Sequence, residues 1–268
     1  MKKAVFVTGG TVGTGFVTAE KFAQAGYDVF IASRSRDRAQ EAADKISEKY
    51  GVFAKGYGLG IHDEDAVKAV FADIDDQGCF ISTVVLNAAN MGFGNDPAKG
   101  LDFFGQSVEE FQEVFETNLV WNFMIVRQAA ARMKDNGGGA IVFIGSNTSY
   151  RAIPNRMAYC ASKGGINSLS KAMAVDLGKY GIRSNVVLPG TIKTERWVQM
   201  GNSRIVDGGL TPIGDISDFE DIANAAFFLG TDLSKNITGT ELMVDGGMSC
   251  QLYPQLLNDL KKEKLAQQ

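Results

Sequence analysis

The sequence predicts an α/β fold: a single domain on a doubly wound parallel sheet of about seven strands, with helices on both faces. Three observations predict it. Short apolar, β-branched runs alternate with longer segments of helical periodicity. A glycine cluster separates the first apolar run from the first helix. The 268 residues, 45% hydrophobic and 22% charged, suit one α/β domain, and no repeat, low-complexity tract or long linker divides them.

The elements follow in order. Ala4 to Val7 reads as a buried strand ended by a glycine turn. From Gly13 to Ala25, Phe16, Ala19, Phe22 and Ala23 recur at helical spacing, and Gly26 closes the helix. DVFIAS is the second strand, and the charged RSRDRAQEAADKISEKYG is a helix ending in glycine. VFAKGYG is a weaker third strand, DEDAVKAVFADI a helix and STVVLNAA the fourth strand. A long helix covers VEEFQEVFETNLVWNFMIVRQAAARM, with Phe111, Val114, Phe115, Leu119, Phe123 and Val126 as its apolar residues. AIVFIGS is the fifth strand, MAYCASKGGINSLSKAMAVDLGKYG a second long helix, SNVVLPG the sixth strand and ELMVDGG the seventh. Residues 91–105 and 191–217 read as loops, the second holding Trp197 and the Gly208–Gly209 pair.

Composition excludes several functions. The net charge is −4 and the pI about 5.2, which argues against a nucleic-acid partner. Cys79, Cys160 and Cys250 are few and scattered, so they read as reduced thiols in a cytoplasmic setting, not as a disulfide framework or zinc site. No metal is expected, because His62 is the one histidine. The apolar run after Lys2 and Lys3 stops well short of a signal-peptide core, and no stretch approaches the ~18 residues of a membrane span, so no membrane association is expected.

The segment TGGTVGTG places Gly9, Gly13 and Gly15 between the first strand and its helix. Glycines let backbone N–H groups approach a pyrophosphate closely, and the helix N-terminus adds a favourable dipole. The spacing is G-x-x-x-G-x-G, and a glycine cluster alone also marks tight turns; the strand–turn–helix context strengthens the phosphate reading. Ser33 and Arg34, Asn87, Ser146, and Pro189 with Gly190 fall after strands two, four, five and six, where open α/β sheets of the Rossmann type bind ligands. Ser33 occupies the position where an acid would select NAD, and Arg34 follows it. A guanidinium suits a 2′-phosphate, so NADP(H) is expected over NAD(H). Arg36 and Arg38 add positive field, Asp37 subtracts from it, and the cluster also reads as an ordinary basic helix start.

Tyr159 and Lys163 stand four apart at the start of a helix, on one face. An ammonium beside a phenol lowers its pKa from about 10 toward the range useful for acid–base work. Taken singly, such a pair is more often surface decoration, Asn118 also reads as a core amide, and Ser146 also reads as a turn residue. In combination, TGGTVGTG, Asn118, Ser146, Tyr159-x-x-x-Lys163, the Pro189–Gly190 turn, Thr194 and VDGG resemble the classical short-chain dehydrogenases/reductases, with Ser146 thirteen residues before Tyr159 as in that family. The resemblance runs from about Phe6 to Gly247.

The resemblance implies a catalytic set of Asn118, Ser146, Tyr159 and Lys163. Tyr159 exchanges the proton, Lys163 lowers its pKa and holds the nicotinamide ribose, Ser146 bonds the substrate oxygen, and Asn118 holds a water leading to Lys163. It implies cofactor contacts from Gly9, Thr11, Val12, Gly13, Thr14, Ser33, Arg34, Asn87, Ala88, Tyr159, Lys163, Pro189, Gly190, Ile192 and Thr194. The expected activity is NADP(H)-dependent interconversion of a carbonyl and a secondary alcohol on a small-molecule substrate. A 3-oxoacyl-[acyl-carrier-protein] reductase is the alternative, with Arg132, Lys134 and Lys179 as weak docking candidates, and a cofactor-binding redox sensor without turnover ranks lower. Phe93, Phe103, Phe104 and Trp197 read as pocket lining or as packing. Residues 1–250 form the expected catalytic domain, with a substrate loop near 191–217. Residues 251–268 form a tail at a subunit interface, in a homodimer or homotetramer such as the family forms. Two departures stand out: Asn90 replaces the glycine of the usual NNAG, and Gly60 replaces an aspartate that commonly contacts adenine.

Overall fold

A computed structural model describes residues 2–61, 63–92, 103–194 and 211–252. The strands are β1 (Lys3–Thr8), β2 (Asp28–Ser33), β3 (Ala54–Gly58), β4 (Phe80–Leu86), β5 (Gly139–Ile144), β6 (Ile182–Pro189) and β7 (Glu241–Val244). They form one seven-stranded sheet in the order β3-β2-β1-β4-β5-β6-β7, with every pair parallel. The chain starts in the middle, winds outward to β3, returns beside β1 as β4, and winds outward again. Parallel strands need crossovers, which place helices on both faces.

Strand alternation assigns the faces. Val5, Val7, Val29 and Ile31 pack with Ala19 and Phe22 of α1 (Gly13–Gln24), Ala39 and Ile46 of α2 (Arg36–Tyr50), and Ile222 and Leu229 of a helix at Phe219–Gly230. Ala4, Phe6 and Phe30 face the other way, onto Phe71 and Ile74 of α3 (Glu64–Asp76), Trp121 and Ile125 of α5 (Trp121–Asp135), and Ile166 and Met173 of α6 (Met157–Leu177). The expected doubly wound architecture is therefore the one observed.

Two helical details differ from the sequence reading. The long helix over 108–133 is α4 (Val108–Phe115) joined to α5 by one π-helical turn, Glu116–Val120. Apolar periodicity runs straight through that turn and hides the extra residue. The helix at Phe219–Gly230, here α7, was not expected at all. Its signals are present in the chain: Asp218 and Asp221 form a reciprocal capping box, and Ile222, Ala223, Ala226 and Leu229 are its buried stripe. Proximity to the glycine-rich 191–217 stretch masked them.

The loop, tail and aromatic expectations at 93–102, 195–210 and 253–268, including Phe93, Trp197 and the Gly208–Gly209 pair, lie outside the described residues, as does His62. Among the described residues no helix is long and apolar enough to cross a membrane.

Asp218 accepts from the Asp221 N–H at 3.1 Å, and Asp221 accepts from the Asp218 N–H at 2.9 Å. Asp218→Ala removes one side of this cap and should lower unfolding free energy by about 1 kcal/mol in chemical denaturation. An unchanged midpoint would show that α7 is held by packing alone.

Candidate active site

The carboxyl edges of β1 and β4 meet where the winding reverses. Thr8 at the end of β1 accepts the N–H groups of Asn87 and Ala88 on its hydroxyl, at 3.0 and 3.1 Å. Asn87 Nδ2 gives a 3.1 Å bond to the Gly9 carbonyl. Gly9 has φ +64° and Gly13 φ +57°, both in the left-handed region that favours glycine. Gly15 is needed for closeness: a Cβ there would lie 2.3 Å from the Gly9 oxygen.

The loop leads into α1 without a cap. Val12 stands at its N-cap with no side-chain bond, and no acid occupies the first turn. By contrast α2, α3, α4 and α7 are capped by Ser35, Asp63, Ser107 and Asp218. Thr11, Val12, Gly13 and Thr14 thus frame a helix start whose N–H groups are left for an anion.

After β2, the Ser33 hydroxyl donates 2.7 Å to the Ser35 carbonyl. Arg34 is exposed and has no hydrogen-bond or ion-pair partner among the described residues. At the far side, Gly190 follows β6 and bonds the Val244 carbonyl of β7 at 3.0 Å, and Ile192 bridges to Ser217. Pro189 ends β6, and Thr194 lies four residues beyond Gly190.

The catalytic candidates converge at the end of β5. Ser146 follows Gly145 and caps a short turn, Asn147–Ser149. Its Oγ accepts from Thr148 N at 3.2 Å and from Thr148 Oγ1 at 2.9 Å. Tyr159 and Lys163, in the first two turns of α6, are 7% and 3% exposed. Lys163 Nζ lies 5.5 Å from the Tyr159 ring centroid and gives a 2.8 Å bond to the Ile144 carbonyl.

Burial governs the protonation of both groups. It pushes the Tyr159 phenol up to about 12, against a lowering by the Ser146 hydroxyl; the lowering expected from Lys163 is not found, because burial outweighs it and the ammonium is turned to the Ile144 carbonyl. It pushes the Lys163 ammonium down to about 8. The phenol therefore holds its proton at neutral pH as a ready acid, and the ammonium sits near its transition.

Asn118, fully buried, lies in the π-helical turn. Its side chain is committed: Oδ1 accepts from Asn90 N at 2.7 Å, and Nδ2 donates to the Asn90 carbonyl at 3.0 Å and to Ser162 Oγ at 2.9 Å. Ser162 Oγ donates in turn to the Tyr159 carbonyl at 2.8 Å. The Asn118 carbonyl accepts from Asn122 Nδ2 at 2.8 Å. Asn90, which replaces a glycine of the family pattern, is not in the left-handed region; Gly92 is, at φ +64°, with its N–H on Asn90 Oδ1 at 2.9 Å. Sequence reasoning missed Thr148, Ser162 and Asn90 as members of this group. Only Ser162 had a local signal, three residues after Tyr159 on the same helix face.

A family model described as enoyl-(acyl carrier protein) reductase matches residues 10–249. A 3α-hydroxysteroid dehydrogenase of Mediterraneibacter gnavus is 31% identical, covering 91% of this chain and 96% of its own. A 3-oxoacyl-[acyl-carrier-protein] reductase of Aquifex aeolicus is 30% identical, covering 92% and 97%. A solved 7α-hydroxysteroid dehydrogenase, in complex with NADH and 7-oxo glycochenodeoxycholic acid, superposes with a TM-score of 0.82 at 30% identity, covering 92% and 93%.

The Lys163 environment makes a stability prediction. The unfolded chain keeps its lysine proton to about 10.5, and the folded chain releases it near 8. The folded state binds fewer protons between those values, so the burial penalty is full below pH 8 and relieved as pH rises. Unfolding free energy of the wild type relative to Lys163→Met should climb by on the order of 3 kcal/mol from pH 8 to 10.5. A flat difference in chemical denaturation across that window would contradict it.

Proposed function

The chain belongs to the short-chain dehydrogenase/reductase family, and we propose that it interconverts a carbonyl and a secondary alcohol with NADP(H), using Tyr159 as general acid and base. The observation that carries this reading is the buried convergence of Ser146, Tyr159 and Lys163 at the carboxyl edge of β5.

The residues present suit a dinucleotide. The uncapped start of α1 would receive the pyrophosphate on its backbone N–H groups, and the close approach at Gly9 and Gly15 keeps that loop low. Asn87 and Ala88 border the same crevice, with Pro189, Gly190, Ile192 and Thr194 opposite. Arg34 would meet a 2′-phosphate with a guanidinium that no described residue engages. The superposed steroid dehydrogenase holds NADH, so cofactor choice is assigned here to Ser33 and Arg34, not to the fold. When bound, the nicotinamide supplies or takes the hydride.

The side chains do the rest. In reduction, Tyr159 Oη passes its proton to the carbonyl oxygen; in oxidation it takes the alcohol proton back. The raised phenol pKa favours the acid role at neutral pH and moves the base role to alkaline pH. The Ser146 hydroxyl hydrogen-bonds the same substrate oxygen and steadies its developing charge. Lys163 places its ammonium near Tyr159 and would hold the nicotinamide ribose. Asn118 acts through its side chain on the loop after β4 and, through Ser162, on the Tyr159 carbonyl.

A 3-oxoacyl-[acyl-carrier-protein] reductase is the second reading, favoured by the Aquifex aeolicus relative; it uses the same acid–base set. For assembly, Val120 at the end of the π-helical turn and Phe123 in the first turn of α5 leave apolar surface exposed, suited to burial in a homodimer or homotetramer.

The test is spectrophotometric: NADPH and NADH oxidation against ketones, 3-oxoacyl thioesters, oxosteroids and sugars. Turnover should favour NADPH and fall by about 10²–10⁴-fold in Tyr159→Phe. Arg34→Leu should weaken NADPH by roughly tenfold to a hundredfold and leave NADH unchanged. Undiminished turnover in Tyr159→Phe would remove the acid–base assignment, and equal NADPH and NADH use would remove the cofactor assignment.

A further inference from the structure

The stripe of α6 that carries Tyr159 and Lys163 continues at the same four-residue step to Asn167 and Lys171. Asn167 is buried, and the chemistry above gives it no part. Its Nδ2 donates twice, 2.8 Å to Glu241 Oε2 and 3.1 Å to Ser149 Oγ. Ser149 Oγ donates 2.7 Å to the Ser146 carbonyl. Glu241, the first residue of β7, is 10% exposed at its side chain and also receives the Tyr150 hydroxyl and the Lys171 ammonium. A continuous chain therefore runs from the edge strand, through α6, to the backbone of Ser146, whose Oγ is in turn held by Thr148.

The polarity of this chain is fixed. A serine hydroxyl has one hydrogen. Asn167 Nδ2 occupies an acceptor site on Ser149 Oγ, which sends the hydrogen to Ser146. The Asn167 oxygen, by contrast, is buried without a partner among the described residues. Leaving an acceptor unsatisfied costs stability that an apolar side chain would avoid, so the donor end is what this position is built around.

We propose that Asn167, anchored on Glu241, is a positioning residue that acts through Ser149 to hold the Ser146 turn, so that Ser146 Oγ faces the Tyr159 hydroxyl. The proposal rests on the roles of Ser146 and Tyr159 given above.

Two arms test it. Crystal structures of the wild type, Asn167→Val and Ser149→Ala should show Ser146 Oγ displaced from Tyr159 in both variants by about 1 Å, a misplacement that costs about a hundredfold in rate. In NADPH-dependent reduction of the carbonyl compound best used by the wild type, each variant should lose roughly tenfold to a hundredfold in kcat, with the KM for NADPH unchanged. The double variant should lose no more than either single one, because the two act in series, and Ser149→Thr, which keeps the hydroxyl, should restore the rate. An unmoved Ser146 in the variant structures would overturn the proposal, as would losses that multiply in the double variant. Ser149→Ala, a small change outside the core, keeps both arms open if Asn167→Val does not fold. If the wild type reduces none of the compounds, the functional reading fails, and the crystallographic arm still decides the position of Ser146.

Discussion

Lys163 is almost fully buried, and its ammonium bonds the Ile144 carbonyl with no acid among the described residues to offset its burial. A lone buried charge is costly unless the surroundings fix and satisfy it. The bond therefore ties the second turn of α6 to the end of β5, two residues before Ser146. Tyr159, one turn earlier on the same helix face, is brought to Ser146 by that tie. Gly165 allows the π-helical turn to come close, since a Cβ there would lie 3.0 Å from Leu119 Cδ1. The edge that carries Ser146, Tyr159 and Lys163 is thus an assembly of α6, β5 and the π-helical turn around one cation.

The same edge explains why the glycine loop and the group of Ser146, Tyr159 and Lys163, remote in sequence, lie along one side of the sheet. Parallel strands end on the same side, and the reversal of winding between β1 and β4 opens a crevice between their loops. Thr8 and Asn87 close the floor of that crevice, so the glycine loop is held by the strand beside it as well as by its own turn.

The sheet and most helices were legible because they obey local rules: short β-branched runs, apolar residues at helical spacing, and glycine at the ends. Tyr159 and Lys163 were legible as neighbours because their spacing is one helical turn. The rest depends on distant partners. Asn118 pairs with Asn90, 28 positions away, through backbone atoms that carry no residue signature. The π-helical turn adds a residue without disturbing the apolar pattern on either side. Arg34 was singled out because a cation after β2 has a specific meaning. The Glu241 anchor went unseen because an acid at the start of an edge strand reads as solvated.

Edge strand β7 joins the catalytic turn late in the chain: Tyr150 and Glu241 are 91 positions apart. During synthesis the cofactor loop, β4 and β5 all emerge before the residue that anchors the Ser146 turn. A chain halted after β6 would therefore hold the glycine loop and Ser146 in place but lack Glu241, the acceptor on which Tyr150 and Asn167 converge.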